Sequence, residues 1–224
     1  MAEAHTQTAL DAIRVVIVDD HDLFRTGLRN LLEEQGVPIV GEAAGGAEAV
    51  RIVSETAPDV VVMDLNMPGM TGVEATRQIS ALAPLTRVVV LTISDEDSDV
   101  MDAILAGACG YLLKDASIQE LMQGIQAAAV GESLISPTIA AKVLRRVRST
   151  SSQPDIERTI RAELSDREIE VLKLIANGKD NAQIAAELHI SPKTVKNHIS
   201  NILMKLQIDN RIQAAVYAVR SGIV

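Results

Sequence analysis

The sequence predicts an α/β domain, a doubly wound five-stranded parallel sheet, followed by a small all-α domain of four helices. Short β-branched runs alternate with longer helical patterns as far as residue 131, which is typical of buried parallel strands separated by helices. A small polar stretch near 148–154 then ends in Pro154 and is typical of a linker. Beyond the linker only helical patterns occur, so the second domain is predicted to lack a sheet.

Each element of the predicted sheet follows from local pattern. The predicted strands cover 14–19, 38–42, 59–64, 87–92 and 110–113, and the predicted helices between and after them cover 22–35, 46–57, 72–82, 96–106 and 117–130. Strand–helix units of this size predict parallel pairing with helices on both faces of the sheet. A further amphipathic helix is predicted near 137–147, where it leads into the linker.

The helices of the second domain are predicted mainly from their end residues. Ser165 and Glu168 form a capping-box pattern that opens a helix to about Ala176, and Gly178 ends it. The remaining helices are predicted near 181–188, at 192–206 after a Ser191 cap with Pro192 in first position, and near 210–220 after an Asp209 cap.

Charge separates the chain into two parts. The net charge is −9, but residues 1–148 carry 11 basic and 21 acidic side chains whereas residues 149–224 carry 10 and 9. An acidic first part and a locally basic end predict modules with different partners. The predicted boundaries are a flexible tail at 1–12, the α/β domain at 13–131, a linker at 132–159 and the helical domain at 160–224.

Composition limits the classes of protein that this chain can be. Cys109 is the only cysteine, which excludes an intrachain disulfide and a cage of thiolate metal ligands. No apolar run is long enough to span a membrane, and the first twelve residues lack the pattern of a secretory signal. We therefore expect a cytoplasmic protein with no membrane partner.

Several predicted strands end in a polar side chain that can handle phosphate. Asp19 and Asp20 lie at the end of the first strand, Asp64 at the end of the third, Thr92 at the end of the fourth and Lys114 directly after the fifth. The carboxyl ends of parallel strands meet at one edge, so these side chains should lie together. Carboxylates are ligands for Mg²⁺, and a carboxylate can also accept a phosphoryl group whose charge a cation and a lysine stabilise. Each residue alone has an ordinary structural explanation, but their coincidence favours phosphoryl transfer.

With the loop Met67–Gly72, these residues resemble the receiver domains of bacterial two-component response regulators. The resemblance covers about 13–131 and implies a flavodoxin/CheY-like fold in which a sensor histidine kinase phosphorylates Asp64. It implies Mg²⁺ ligands at Asp19, Asp20, Asp64 and the backbone carbonyl of Asn66, a phosphate contact at Lys114, and a switch pair at Thr92 and Tyr111. Phosphorylation adds roughly −1.5 to −2 charge, towards which Thr92 would move while Tyr111 rotates inward.

Two positions depart from the receiver pattern. Ile93 stands where receivers usually have a small residue, and Asp115 follows Lys114 where many have proline. The bulk of Ile93 could restrict access of water or a phosphodonor to Asp64, so the lifetime of the phosphoryl group does not transfer from the family.

The predicted helix at 192–206 has two chemically different faces. Its apolar stripe consists of Val195, Ile199, Ile202, Leu203 and Leu206. Its polar face consists of Lys193, Lys196, Asn197, Ser200, Asn201 and Lys205. Such amides, hydroxyls and ammonium groups suit base edges and phosphates, and the preceding helix and turn complete a helix-turn-helix pattern. A solvated face in a structural bundle would show the same pattern.

The segments Leu164–Leu172, Ile184–Leu188 and Ser191–Ile199 resemble the LuxR-type DNA-binding domain over about 160–224. Together with the receiver, they make the chain similar to the NarL/FixJ class of response regulators. The resemblance implies that Lys196, Asn197 and Ser200 face the major groove and that Lys193, Thr194 and Lys205 contact phosphates. It also implies pairing of two subunits through the last helix. Which bases Asn197 and Ser200 would select does not follow from the resemblance, because some relatives have lysines at these positions.

The preferred interpretation is a transcription factor that phosphorylation switches, forming a homodimer on activation to bind double-stranded promoter DNA. It is not an ordinary enzyme, although it would catalyse its own phosphoryl transfer and autodephosphorylation. A Mg²⁺-dependent phosphohydrolase would also use the acidic cluster, but no substrate-binding cap is evident and the helical domain would be unexplained. A regulator that binds DNA without phosphorylation would leave the complete acidic site unexplained.

Overall fold

The computed structural model describes residues 13–94, 96–135, 139, 143 and 163–223. The chain divides into two compact units, Met1–Ile139 and Ala140–Val224, and this division falls inside the predicted linker at 132–159. The predicted tail at 1–12 lies outside the described residues, as does most of the predicted helix near 137–147. Within that helix, Ile139 and Val143 are helical and buried.

Strands and helices alternate along the first unit, as the sequence predicts. In chain order they are β1 (Val15–Val18), α1 (Asp22–Glu34), β2 (Ile39–Ala43), α2 (Gly46–Thr56), β3 (Val60–Met63), α3 (Gly72–Leu82), β4 (Arg87–Thr92), α4 (Asp97–Leu105), β5 (Gly110–Leu113), α5 (Ile118–Ala129) and β6 (Leu134–Ile135). Every predicted element of this unit is confirmed, with its bounds within one residue of the prediction. The β-branched runs form strands because their side chains pack on both sides of a buried sheet.

The described sheet is parallel and has six strands in the order β2-β1-β3-β4-β5-β6. The prediction of five strands was therefore one short, although the fold class is confirmed. The added strand, β6, pairs with β5 through Gly110 and Tyr111. Two half-buried residues give no alternating pattern, so its sequence carries no strand signal.

Helices cover both faces of the sheet and bury alternate residues of each strand. On one face, Val15, Ile17, Val60 and Val62 pack with Leu28 and Leu32 of α1 and with Leu121 and Ile125 of α5. On the other face, Val16, Val18, Val61 and Met63 pack with Ala49 and Val53 of α2 and with Ala75 and Ile79 of α3. This packing fixes the strands and hence the positions of the residues at their carboxyl ends.

The second unit is helical and has its own apolar core. Its described helices are α6 (Asp166–Ala176), α7 (Asn181–Leu188), α8 (Pro192–Leu206) and α9 (Arg211–Arg220). The buried core includes Val171, Leu172, Ile184, Val195, Ile202 and Ala214. No helix among the described residues is both long and apolar enough to cross a membrane.

Most predicted helix ends of the second unit are confirmed. The side chains of Ser165 and Ser191 cap α6 and α8, and Gly178 has a φ of +75° just after α6. The prediction of Asp209 as the cap of α9 was wrong. Asn210 caps that helix instead, because its side chain accepts a hydrogen bond of 2.9 Å from the amide of Gln213. Asn and Asp cap helices about equally well, so composition alone could not fix the choice.

Candidate functional site

The carboxyl ends of the strands bring Asp19, Asp64 and Lys114 into direct contact. The ammonium of Lys114 lies 2.7 Å from Oδ2 of Asp19 and 2.8 Å from Oδ2 of Asp64. Both carboxylates are buried, and the lysine side chain is only 12% exposed. Backbone bonds hold the geometry, since the amide of Asp64 donates to Val18 at 2.9 Å and that of Lys114 to Thr92 at 2.9 Å.

The remaining carboxylate oxygens are positioned to bind a cation. Ligand atoms of Asp19, Asp20, His21 and Asp64 all lie within 4.8 Å of one another. Oδ1 of Asp20 is buried and accepts no hydrogen bond from the residues that the structure describes, although Nδ1 of His21 lies 3.0 Å away. A buried carboxylate oxygen without a donor is costly unless a cation balances it. The donor set therefore fits a hard divalent cation such as Mg²⁺.

Lys114 is held in its charged form by the two carboxylates. Burial by itself lowers the pKa of this lysine, but its hydrogen bonds and attraction to Asp19 and Asp64 outweigh burial and raise the pKa above the usual value. The ammonium also lies 4.5 Å from the centre of the Phe24 ring. The pocket thus carries a fixed positive charge beside the Asp64 carboxylate.

The proposed switch residues meet at Ser94. Thr92 is buried, and its hydroxyl oxygen accepts a hydrogen bond of 3.3 Å from the Ser94 amide. Tyr111 is also fully buried, and its hydroxyl donates to the Ser94 carbonyl at 2.9 Å. The hydroxyl of Ser94 in turn contacts the carboxylate of Asp99 in α4. In this structure Tyr111 is thus already inside the fold, whereas the resemblance implies that it turns inward only after phosphorylation.

A tight loop follows Asp64 and contains Asn66. The amide of Leu65 donates to Oδ1 of Asp64 at 2.8 Å, and the amide of Gly72 donates to the Leu65 carbonyl at 2.9 Å. A Cβ at Gly72 would lie 2.0 Å from the Asp64 carbonyl oxygen, so only glycine fits this approach. The side chain of Asn66 is exposed. Ile93, which directly follows β4, is 74% exposed.

The polar face of α8 is exposed on the second unit. Val195, Ile199, Ile202 and Leu206 are buried in the core and Leu203 is half-buried, which confirms the predicted apolar stripe. The exposed side chains on the other side of the helix are Lys193, Lys196, Asn197, Ser200 and Asn201. The structure brings these five predicted contacts onto one helix, which α7 and the turn at His189 precede as in a helix-turn-helix.

Two predicted DNA contacts have partners within the protein. The hydroxyl of Thr194 lies 2.8 Å from that of Ser191 in the cap of α8. The ammonium of Lys205 lies 2.8 Å from Oε2 of Glu168, which is buried in α6. Both side chains therefore make contacts within the domain, and that of Lys205 is still 35% exposed.

Several residues that support the sites were missed by the sequence reasoning. Arg167 donates to the Leu188 carbonyl at 2.6 Å, and Arg211 donates to Oδ1 of Asn181 at 2.6 Å, so both tie helices of the second unit together. Ser94 was also missed, because it contacts the switch residues through its backbone. His21 directly follows the acidic pair, and that adjacency could have indicated it as a neighbour of the cation site.

Comparisons with known proteins agree with this geometry. Residues 15–126 match the response regulator receiver domain, and residues 162–218 match the bacterial regulatory proteins of the luxR family. The chain is 45% identical over 213 residues to the transcriptional regulatory protein LiaR of Bacillus subtilis, which covers 95% of this chain and 99% of that protein.

Two solved structures extend the comparison. The crystal structure of the response regulator ChrA, from a heme-sensing two-component system, aligns with a TM-score of 0.53 and 37% identity over 96% of this chain and 100% of that one. A structure of two RcsB dimers bound to two parallel DNAs aligns with a TM-score of 0.55 and 25% identity over 95% and 99%.

A parallel receiver sheet with an acidic pocket, joined to a LuxR-type helix-turn-helix, defines a DNA-binding response regulator. The chain belongs to this family of two-component transcriptional regulators. It is a regulator rather than a classical enzyme.

Proposed function

We propose that Asp64 is the phosphoacceptor through which a sensor histidine kinase controls DNA binding by this protein. The observation that carries the proposal is the pocket in which the Asp64 carboxylate is buried beside Asp19 and held 2.8 Å from Lys114. In the transfer, a carboxylate oxygen of Asp64 attacks the phosphorus of a phosphohistidine. The new P–O bond forms as the P–N bond breaks, and the histidine leaves and takes up a proton.

Each residue of the pocket would have its own role in this transfer. Asp19, Asp20 and Asp64, with the backbone carbonyl of Asn66, would hold Mg²⁺, which supplies positive charge close to the transferred group. Lys114 keeps its charge because of its carboxylate neighbours and would contact a phosphoryl oxygen, which its distance of 2.8 Å from Asp64 supports. The Thr92 hydroxyl, at the end of β4, would be a neutral donor to the same group. Water reaching the acyl phosphate would reverse the modification by autodephosphorylation.

Ser94 would connect phosphorylation of Asp64 to the surface outside the pocket. If Thr92 turned so that its hydroxyl donated to the phosphoryl group, its oxygen would move away from the Ser94 amide, whose hydrogen bond to it is weak at 3.3 Å. Because Tyr111 also bonds Ser94, a change at Thr92 alters the preference of Tyr111 between its inward and outward positions. Phosphorylation would thereby shift an existing equilibrium of the β4–α4 surface.

The output is DNA binding by α8 in a homodimer. Exposed lysines on one helix give a single domain a salt-sensitive affinity, and joining two domains multiplies it. The known RcsB structure contains dimers on DNA, which supports pairing here. A regulator of this kind works where promoter DNA is, so we propose a cytoplasmic location.

The test compares wild type with Asp64→Asn, and uses Asp115→Asn as a matched control. Asp115 is an exposed carboxylate directly after Lys114. With a small phosphodonor and Mg²⁺, wild type and Asp115→Asn should gain one acid-stable, base-labile phosphoryl group per chain, and Asp64→Asn none. Genome-wide footprinting of the same variants should show donor-stimulated DNA binding only where labelling occurs.

The same experiment separates the competing functions. Turnover of a small phosphomonoester far beyond one group per chain would indicate a phosphohydrolase. Donor-stimulated DNA binding by Asp64→Asn would contradict the switch, and equal binding with and without the donor would indicate a regulator independent of phosphorylation.

A further inference from the structure

Lys205 lies at the edge of the surface that α8 offers to DNA, about 40° around the helix from Asn201. At about 100° per residue around an α-helix, Lys205 is rotated about 120° from Lys193, whereas Met204 is rotated by only about 20°. Met204 is 70% exposed, and it occupies the C-terminal end of the face that carries Lys193 and Ser200. Position on the helix therefore separates Lys205 from the other basic residues of α8.

The ammonium of Lys205 is directed to a buried carboxylate in α6. Its distance to Oε2 of Glu168 is 2.8 Å, with the lysine side chain 35% exposed and the glutamate side chain 5% exposed. The same oxygen also accepts hydrogen bonds from the amide of Ser165 at 2.8 Å and from its hydroxyl at 2.9 Å. One carboxylate thus closes the N-terminal cap of α6 and binds the last turn of α8.

We propose that Glu168 and Lys205 form a positioning pair that sets the angle of α8 on the domain, and that Lys205 does not contact DNA phosphate. This inference rests on the proposed DNA binding by α8. The C-terminal end of a helix that enters a DNA groove must be fixed on its domain. A small tilt of the helix at that end would displace every side chain along its DNA-facing surface. Releasing Lys205 to a phosphate would leave the carboxylate of Glu168 buried without its cation, which is unfavourable.

The test uses the full-length phosphorylated protein and a DNA fragment from its own footprint, with affinity measured over a range of salt concentrations. The variants are Lys205→Met, Glu168→Gln and, as a matched control, Lys193→Met, which removes an exposed lysine of the same helix. Loss of one phosphate contact lowers the salt slope by about 0.9, and we expect this change only for Lys193→Met. Lys205→Met and Glu168→Gln should each weaken binding by about tenfold at every salt concentration, with no further loss in the double variant.

Opposite results would overturn the proposal. If Lys205 contacts phosphate, Lys205→Met will lower the salt slope as Lys193→Met does, and Glu168→Gln will bind as tightly as wild type because the lysine is freed. Under the proposal, Lys205→Arg keeps the positive charge beside Glu168 and should bind DNA more tightly than Lys205→Met does. If Glu168→Gln fails to fold, the slopes of the Lys205→Met and Lys193→Met variants still decide the matter.

A second measurement does not depend on DNA and so separates this inference from the proposed function. In the full chain, amide hydrogen exchange at 203–206 should accelerate in both Lys205→Met and Glu168→Gln but not in Lys193→Met. Unchanged exchange would contradict the positioning pair. Failure of the wild type to bind any fragment would instead contradict DNA binding, with the exchange result unaffected.

Discussion

A single lysine offsets only part of the negative charge of the acidic pocket among the described residues. Lys114 contacts both Asp19 and Asp64, and Asp20 adds a third carboxylate whose Oδ1 is buried. Each of these residues could be predicted from the sequence, because the end of an apolar run fixes where the next side chain lies. Ser94 could not, since its link to Thr92 and Tyr111 uses backbone atoms that every residue possesses.

Replacing Lys114 with methionine should destabilise the first unit by about 3–5 kcal/mol in the absence of divalent ions, because two buried carboxylates lose their cation. Mg²⁺ should then raise the melting temperature of Lys114→Met more than that of wild type, since the ion supplies the missing positive charge. Thermal unfolding with and without Mg²⁺ measures both effects. Lys173→Met, at an exposed position of α6, is the control, and an equal Mg²⁺ response in all three proteins would contradict the prediction.

Among the elements, long segments with a clear periodicity were predicted well. A very short strand, and a helix start with two suitable capping residues, were not. The helices α1 to α5 have clear apolar faces, so their bounds follow from the sequence. The strand β6 is only two residues long, and it exists because the edge of β5 is available for pairing. The observed cap of α9 is one residue later than the predicted one, because both Asp209 and Asn210 are residue types that cap helices well.

The start of α3 lies against Asp64, the proposed phosphoacceptor, and depends on Gly72. An alanine Cβ there would meet the Asp64 carbonyl and the Leu65 Cα, and neither backbone atom can yield without moving the site. Gly72→Ala should therefore cost about 2–3 kcal/mol of stability and slow phosphorylation of Asp64. Gly27→Ala is the control, because its Cβ would meet nothing within 4 Å in α1 and should stabilise the helix by about 0.5–1 kcal/mol. Chemical denaturation and phosphoryl labelling of both variants test this, and normal labelling of Gly72→Ala would contradict it.

The N-terminal cap of α6 should make the second unit sensitive to acid. Burial raises the pKa of Glu168, but the hydrogen bonds from Lys205 and Ser165 outweigh it and lower the pKa below the usual 4.5. A carboxyl with a lowered folded pKa stabilises the fold above its unfolded pKa and loses this contribution as pH falls through the folded value. Glu168→Gln should thus be less stable than wild type near pH 7, and the difference should shrink below pH 4.5.

Thermal unfolding of wild type and Glu168→Gln over that pH range measures the effect. Glu120→Gln is the matched comparison, because Glu120 closes the same kind of capping box with Ser117, which also lowers the pKa of Glu120, but is exposed in α5, so that variant should lose less stability near pH 7. A difference between wild type and Glu168→Gln that stays constant down to pH 3 would show that the carboxylate charge is not involved.

The whole molecule joins two units with separate cores and different charge. Residues up to 148 carry the acidic excess and the acidic pocket, and the later residues carry the exposed lysines of α8. This division could be predicted because composition changes sharply along the chain.

Separate cores should give two transitions in scanning calorimetry of the full chain. All ligand atoms of the cation site belong to the first unit, so Mg²⁺ should raise the melting temperature of one transition and leave the other unchanged. Saturation at 100 times the dissociation constant stabilises the binding unit by about 2.7 kcal/mol. Asp64→Asn should reduce this shift because it removes one carboxylate, and Glu168→Gln should move only the transition that Mg²⁺ does not affect. A single transition that both variants shift would mean that the units unfold together, and separate cores would then not make separate folding units.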